Sequence, residues 1–208
     1  MKILTALALA FVMMGVTTPT LAATSAEAIP EGFLLYEKAA TKKDATGRGL
    51  WSVDRRKNAK LAVDPCHSGS LAVAGRIAAR TVTYTAVSDQ RSEQVILYSS
   101  TRAAEQALAE VRKALARCPA IQTAQTAYRY SGVAVGLGDE GLVVTGQLYQ
   151  GGKATLGGER VVLVRRGNAL VVYARSGEWG APDKADFAPQ TKDAERMLAK
   201  ICQVARCS

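Results

Sequence analysis

ERVVLVRRGNALVVYARSG, residues 159–177, decides the fold class. Two apolar runs flank Gly167-Asn168, a dipeptide favoured in two-residue hairpin loops. Both runs are apolar at consecutive positions through their middles, so neither strand has a wet face. Strands of this kind sit centrally in a sheet that is covered on both sides. Counting outward from the turn pairs Val164 with Val171, Val162 with Tyr173 and Arg160 with Arg175, all on one face. Directly opposed like charges are unfavourable. Arg160 and Arg175 therefore require compensation from Asp139, Glu140 or an anionic ligand. Splayed side chains in water, or a register displaced by one residue, would also relieve them. Arg160, Arg175, Tyr173 and Trp179 are accordingly the candidate binding residues.

The flanking segments extend the same pattern. TAYRYSG (126–132) and GLVVTGQLY (141–149) are strand-like and lead into the hairpin. Upstream, TVTYTAVS (81–88) alternates Val82, Tyr84 and Ala86 against threonines, and QVILYS (94–99) is β-branched and apolar after a polar turn, which predicts a second hairpin. Ser100 or Thr101 then supplies an N-cap, and Ala104, Leu108, Val111, Leu115 and Cys118 recur at helical spacing until Pro119 stops the helix. Cys118 is thereby expected to face the core. Near the C-terminus Ala194, Met197, Leu198, Ile201 and Ala205 form another helical stripe, with Thr191 the expected cap. Residues 29–50 begin IPEGFLLYEKAA and pass into a polar stretch, which reads as an arm lying on the domain. The expected fold is α+β: a single domain with an antiparallel sheet of about six strands flanked by helices.

The chain opens with Met1-Lys2 and an apolar run to Val16, too short to cross a bilayer, then reaches the small-x-small triplet Ala26-Glu27-Ala28. This is the pattern of a secretory signal peptide over residues 1–28, with Ala22 an alternative cleavage point. The first cysteine is Cys66, so the leader offers no lipid-anchor residue, and no later stretch is long and apolar enough for a transmembrane span. The expected product is secreted. Removing residues 1–28 takes away Lys2 and Glu27, so the net charge stays at +9. Outside the cell such an excess points to anionic polymers, anionic lipid headgroups or solubility. The basic residues are scattered and not interleaved with stacking aromatics, which speaks against nucleic acid.

Four cysteines, at 66, 118, 202 and 207, form an even set that an oxidising compartment would close into two disulfides. Three connectivities are open. Cys66–Cys118 with Cys202–Cys207 is the expected one: the first ties the loop after Asp64-Pro65 to the end of the central helix, the second locks the end of the last helix. Loop entropy assigns them about 4 and about 2 kcal/mol. The short link requires the last helix to unwind by about Val204, because residues five apart on an intact helix are too distant. Zinc is the rival for these residues, but the set lacks a second close pair. A nucleophilic Cys118 would need an imidazole, and the single histidine, His67, directly follows Cys66. No G-x-S-x-G elbow is present for a serine hydrolase. Gly136-Leu137-Gly138-Asp139-Glu140-Gly141 matches the dinucleotide spacing, yet a strand-like segment follows it and its acids would face phosphate, so it reads as a loop entering a strand. The expectation is no catalytic residues, no metal and no cofactor.

IPEGFLL, Trp51, DPC at 64–66, VILYSSTRAAEQALAEVRKALARCP, LGDEG and VVLVRRGNALVVYARSG together resemble the PknH-like extracellular sensor-domain family of exported actinobacterial proteins, over about residues 29–208. The resemblance implies a single α+β domain with an antiparallel sheet flanked by helices. It implies Cys66, Cys118, Cys202 and Cys207 as disulfide staples, and a cleft for an unidentified ligand. It departs from the receptor form in having neither kinase nor membrane span. The function expected is that of an exported, non-catalytic ligand- or partner-binding module of the bacterial envelope or medium, its ligand an unidentified small molecule or envelope component, with anionic ones among the candidates. The alternatives are a small secreted hydrolase using His67 or the pair Asp139 and Glu140, and a structural envelope protein adhering through its basic surface.

Overall fold

The computed structural model describes residues 28–40 and 49–207. Along the chain come α1 (Glu37–Ala40), β1 (Leu50–Asp54), β2 (Arg76–Thr85), β3 (Asp89–Tyr98), α2 (Thr101–Arg117), β4 (Ala120–Gln122), β5 (Thr126–Val135), β6 (Glu140–Gln150), β7 (Lys153–Arg166), β8 (Ala169–Gly177) and α3 (Ala188–Leu198), with 3-10 turns at Lys184–Phe187 and Ile201–Gln203. The strands form one eight-stranded sheet in the order β1-β2-β3-β8-β7-β6-β5-β4. Every neighbouring pair is antiparallel. Two meanders, β1 to β3 and β4 to β8, meet where β3 pairs β8, with Val95 opposite Val171. Helix α2 carries the chain from β3 to the far edge across one face, and α3 covers the other.

The β7–β8 hairpin has the register counted from its turn: Val164 opposes Val171, Val162 opposes Tyr173 and Arg160 opposes Arg175. Gly167 sits at φ 55°, a conformation glycine adopts without strain. Alternation along the two strands then sorts the side chains. Val161, Leu163, Leu170 and Val172 pack with Ala104, Leu108 and Val111 of α2. Val162, Val164, Val171 and Tyr173 pack with Ala194, Met197 and Ile201 on the α3 side. Each fully buried Val, Leu or Ile contributes about 1.5–3 kcal/mol by leaving water, so two covered faces account for strands with no polar side. Ser100 caps α2 by accepting a 3.1 Å bond from the Ala103 amide, and the helix ends at Cys118 before Pro119.

Three expectations need correction. The sheet has eight strands where about six were expected. The two additional ones, β1 and β4, are the outermost strands, five and three residues long. They lie largely exposed, so they carry little of the apolar alternation by which strands are recognised. The segment before β1 packs on the domain, and the arm expected over 29–50 ends short of its last residue. Leu34 is fully buried, the amides of Leu35 and Tyr36 donate to Glu93, and Glu37 forms a buried ion pair with Arg80. Residue 50 already belongs to β1. Finally, α3 begins at Ala188 without a side-chain cap. The preceding 3-10 turn is instead closed by a capping box between Asp183 and Asp186.

The disulfides are Cys66–Cys118 and Cys202–Cys207. Cys118 is half-buried at the end of α2, and α3 has given way to a 3-10 turn before Cys207, which permits the short link. The C-terminal segment closes over the β7–β8 turn: the Arg206 amide donates to Asn168 Oδ1 at 2.7 Å, and the Arg206 carbonyl lies where a side chain on Gly167 would be. The expected leader, residues 1–28, lies outside the described residues apart from Ala28.

Candidate functional site

On the α3 face one rung of the sheet carries three arginines side by side. Arg160 opposes Arg175, which in turn opposes Arg91 on β3. Their compensation comes from acids other than those expected. Arg160 donates through Nε to Asp186 at 2.9 Å. Its Nη1 reaches the carbonyls of Gly146 and Glu159, and its Nη2 reaches Gln147 Oε1 and the carbonyl of Gly180. All five guanidinium donors are thus engaged and the side chain is fully buried. Burial would raise the Asp186 carboxyl, but the Asp183 amide and the Arg160 guanidinium hold it below the usual aspartate range. Asp89 serves both Arg175, at 3.3 Å, and Arg91, at 3.1 Å. The Arg91 contact is ionic and not aligned as a hydrogen bond, and among the described residues the buried Nε of Arg91 and of Arg175 have no hydrogen-bond partner.

The four sequence-predicted binding residues therefore divide. Arg160 has no donor left for a ligand. Tyr173 is buried, and its hydroxyl donates to Glu93 Oε1 at 2.6 Å. Trp179 is half-exposed, its ring 5.4 Å from the Arg160 guanidinium carbon and 5.3 Å from that of Arg175. Arg175 and Trp179 alone remain partly open to solvent. Asp139 and Glu140 lie near the β7–β8 turn: Asp139 binds Arg165, Arg166 and the Gly167 amide, and Glu140 binds Arg112 and Arg165. Hydrogen bonding from Arg112 first, and then from Arg165, holds the Glu140 carboxyl low. Both acids act as ties between elements. His67 is exposed in a loop at φ 52°, and among the described residues no hydrogen bond joins its imidazole to a serine or a carboxylate.

The opposite face carries a different arrangement. Glu159 precedes Arg160 and so points to the α2 side, opposite Ser176 on β8 and Gly146 on β6. It is half-buried, and its carboxylate has no hydrogen bond or ion pair among the described residues. Burial pushes it up to about 7. It lines a polar recess of about 200 Å³ with Tyr128, Gln90, Ser92, Ser176, Ala174 and Ala62. Each wall has an identifiable support. Gly146 leaves space on β6, and the Tyr128 ring lies over that space, its hydroxyl 2.7 Å from where a Cβ would be. The loop bearing Ala62 is held by buried Gln94, which accepts from the Ala62 amide at 3.1 Å and donates to the Lys60 carbonyl at 2.9 Å. Farther along that loop, the Cys66–Cys118 disulfide fastens it to the end of α2.

A second recess, between α2 and β5, is larger at about 430 Å³ but is lined mainly by Leu115, Ala116, Ala134 and Leu142. Its one charged side chain, Arg112, is already engaged by Glu140. An uncompensated polar group is found at Glu159, which the sequence reading passed over. A signal existed: counting one more rung from the Gly-Asn turn places Glu159 opposite Ser176 on the face away from Arg160, an acid with no basic partner in register.

No protein-family model matches the chain, and no curated protein matches it either. Among solved structures it is similar to the extracellular domain of PknH from Mycobacterium tuberculosis, at 12% identity and a TM-score of 0.49, covering 84% of this chain and 97% of that one. At that level of likeness nothing about ligands or partners passes from one protein to the other.

Proposed function

We propose that this chain is an exported, non-catalytic binding module of the sensor type, with the polar recess at Glu159 as its ligand site. The carrying observation is the half-buried carboxylate, unpartnered among the described residues, that lines a polar recess. Burying such a group without a partner is costly, and recesses with a few convergent polar groups and a perturbed titrating group are the usual form of a small-molecule site. The surrounding groups are hydroxyls, an amide and a phenol, with no histidine or thiol beside them. This composition suits recognition more than bond cleavage. Two disulfides fit an oxidising compartment, and the leader-like first 28 residues agree with export. No helix of the described residues is long and apolar enough to cross a membrane.

Two measurements test the reading. Mass spectrometry of the secreted protein is expected to show loss of residues 1–28, or cleavage at Ala22, with both disulfides intact. A fragment titration followed by amide chemical shifts is expected to place binders at Ser92, Glu159 and Ser176, with every fragment recovered unchanged. Turnover of a fragment that survives removal of His67 but not of Glu159 would replace the binding module with an enzyme.

A further inference from the structure

Resting on that reading and deepening it, we propose that the recess takes a small cationic ligand: a protonated amine on a compact polar molecule, its ammonium seated on the Glu159 carboxylate and its hydroxyl or carbonyl groups on Ser92, Ser176, Gln90 and Tyr128. The size is set by the walls. About 200 Å³ is below the range of pockets for drug-sized ligands, about 300–1,000 Å³, and holds six or seven water-sized groups at roughly 30 Å³ each. Only a compact group fits within that volume.

The charge class follows from what lines the recess and what does not. Among the described residues Glu159 is its one carboxylate, and no lysine or arginine lines it. In a chain of net charge +9 the basic side chains nearest in register, Arg160 and Arg175, belong to the other face, where Asp186 and Asp89 match them. An anion entering the recess would meet a carboxylate with no compensating cation. A neutral ligand would leave that carboxylate unpaired. A divalent metal is also a poor fit, because hard cations take six or more oxygen ligands, usually from several carboxylates. Among the described residues no group of three or more acid, histidine or cysteine ligands exists. A monocationic amine supplies three donors and one charge, which the Glu159 carboxylate and neighbouring oxygens can accept.

The surroundings keep the carboxylate's titration its own. Tyr128 and Tyr130 face it from β5, and both phenols are pushed up by burial and then by the Glu159 charge, so neither ionises near neutrality. Asp64 of the loop acts on Tyr130, and Arg160 acts on Tyr128 from the opposite face. β3 and β8 contribute the neutral Gln90, Ser92 and Ser176. The ammonium ion binds the ionised form, so it competes with the proton on Glu159.

Ethanolamine is the probe, with ethylene glycol as its neutral counterpart and glycolate as its anionic one. Backbone amide shifts and the side-chain carboxyl resonance of Glu159 are followed from pH 5 to pH 8. Ethanolamine is expected to saturate shifts at Ser92, Glu159 and Ser176, to lower the Glu159 midpoint, and to bind at least about tenfold more tightly at pH 8 than at pH 5. Glu159→Gln is expected to abolish saturation, while Ser176→Ala, which keeps the carboxylate, weakens binding a few-fold. Ethylene glycol or glycolate saturating the recess more tightly than ethanolamine would overturn the cationic class and leave the binding module standing. Equal ethanolamine binding by Glu159→Gln would overturn the assignment to this carboxylate. Silence from all three probes, with Glu159 titrating identically in their presence, would overturn the cation site. If the fragment titration were silent at the recess as well, the binding module would fall with it.

Discussion

Two glutamates on opposite faces of the same sheet, one fully buried and one half-buried, have opposite surroundings. Glu93, on the α3 face, is fully buried and accepts from the amides of Leu35 and Tyr36 and from the Tyr173 hydroxyl. Glu159, on the α2 face, accepts from nothing among the described residues. Burial raises both carboxyls, but at Glu93 the hydrogen bonds from Tyr173, Tyr36 and Leu35 act against it. The carboxylates of the α3 face serve as fastenings: Glu93 and Glu37 hold the N-terminal segment and Asp186 holds Arg160, while Lys200 reaches the Phe33 carbonyl. The recess on the α2 face keeps one acceptor uncommitted. A buried polar group that fastens is expected to stabilise the fold when present, and one held for a ligand is expected to destabilise it until the ligand arrives.

Substitutions at these positions sharpen or break that contrast. The largest loss is expected from Glu37→Ala, which strands Arg80, 4% exposed, without its carboxylate. Urea unfolding should show a destabilisation of about 4 kcal/mol. A change below 1 kcal/mol would mean that the N-terminal segment is not fastened as described.

Glu159→Gln should act in the opposite direction. Its carboxyl titrates at about 7 in the fold against 4.5 for an ordinary glutamate. Between those values the unfolded chain has released its proton while the native chain retains it. Stability therefore falls as pH rises through this window and levels off above about 7. The variant should match the wild type at pH 4 and exceed it at pH 8 by on the order of 3 kcal/mol. Melts at the two pH values measure this, and a difference that is constant with pH would end the contrast.

Replacing both Cys202 and Cys207 by serine opens the short loop that closes over the β7–β8 turn, with an expected loss of about 2 kcal/mol in the same assay. The smallest effect belongs to Ser176→Ala. This side chain lines the recess without a bond of its own in the fold, so stability should stay within about 0.5 kcal/mol of the wild type.

Most of the architecture was legible where apolar pattern and covered surface coincide. The β7–β8 register followed from one dipeptide and two apolar runs, and α2 followed from its stripe, its serine cap and Pro119. The two outermost strands escaped because LWSVD and AIQ lie at the sheet's rim, where a strand needs no apolar alternation. That residues 29–40 lie on the domain was legible, but their polar ties were not, because Glu93 and Arg80 meet that segment only after the sheet has formed. The Arg160–Arg175 rung was readable, but its counter-charges were not, since Asp186 and Asp89 come from a 3-10 turn and a strand end that local pattern does not join to it. At Glu159 the register was available and the partner's absence was not, because unpaired burial is a property of the assembled walls.

The pairing of β3 with β8 has a consequence for how the chain matures. Asn168 and Tyr98, linked side chain to backbone at that seam, are 70 residues apart in sequence. The first meander therefore keeps a bare flank until the last strand is delivered, and nothing earlier in the chain can substitute for it. Nucleation that depends on so distant an encounter is slow, of the millisecond-to-second kind. A nascent polypeptide of this design would have to stay unfolded, and guarded against misassembly, until β8 has been made.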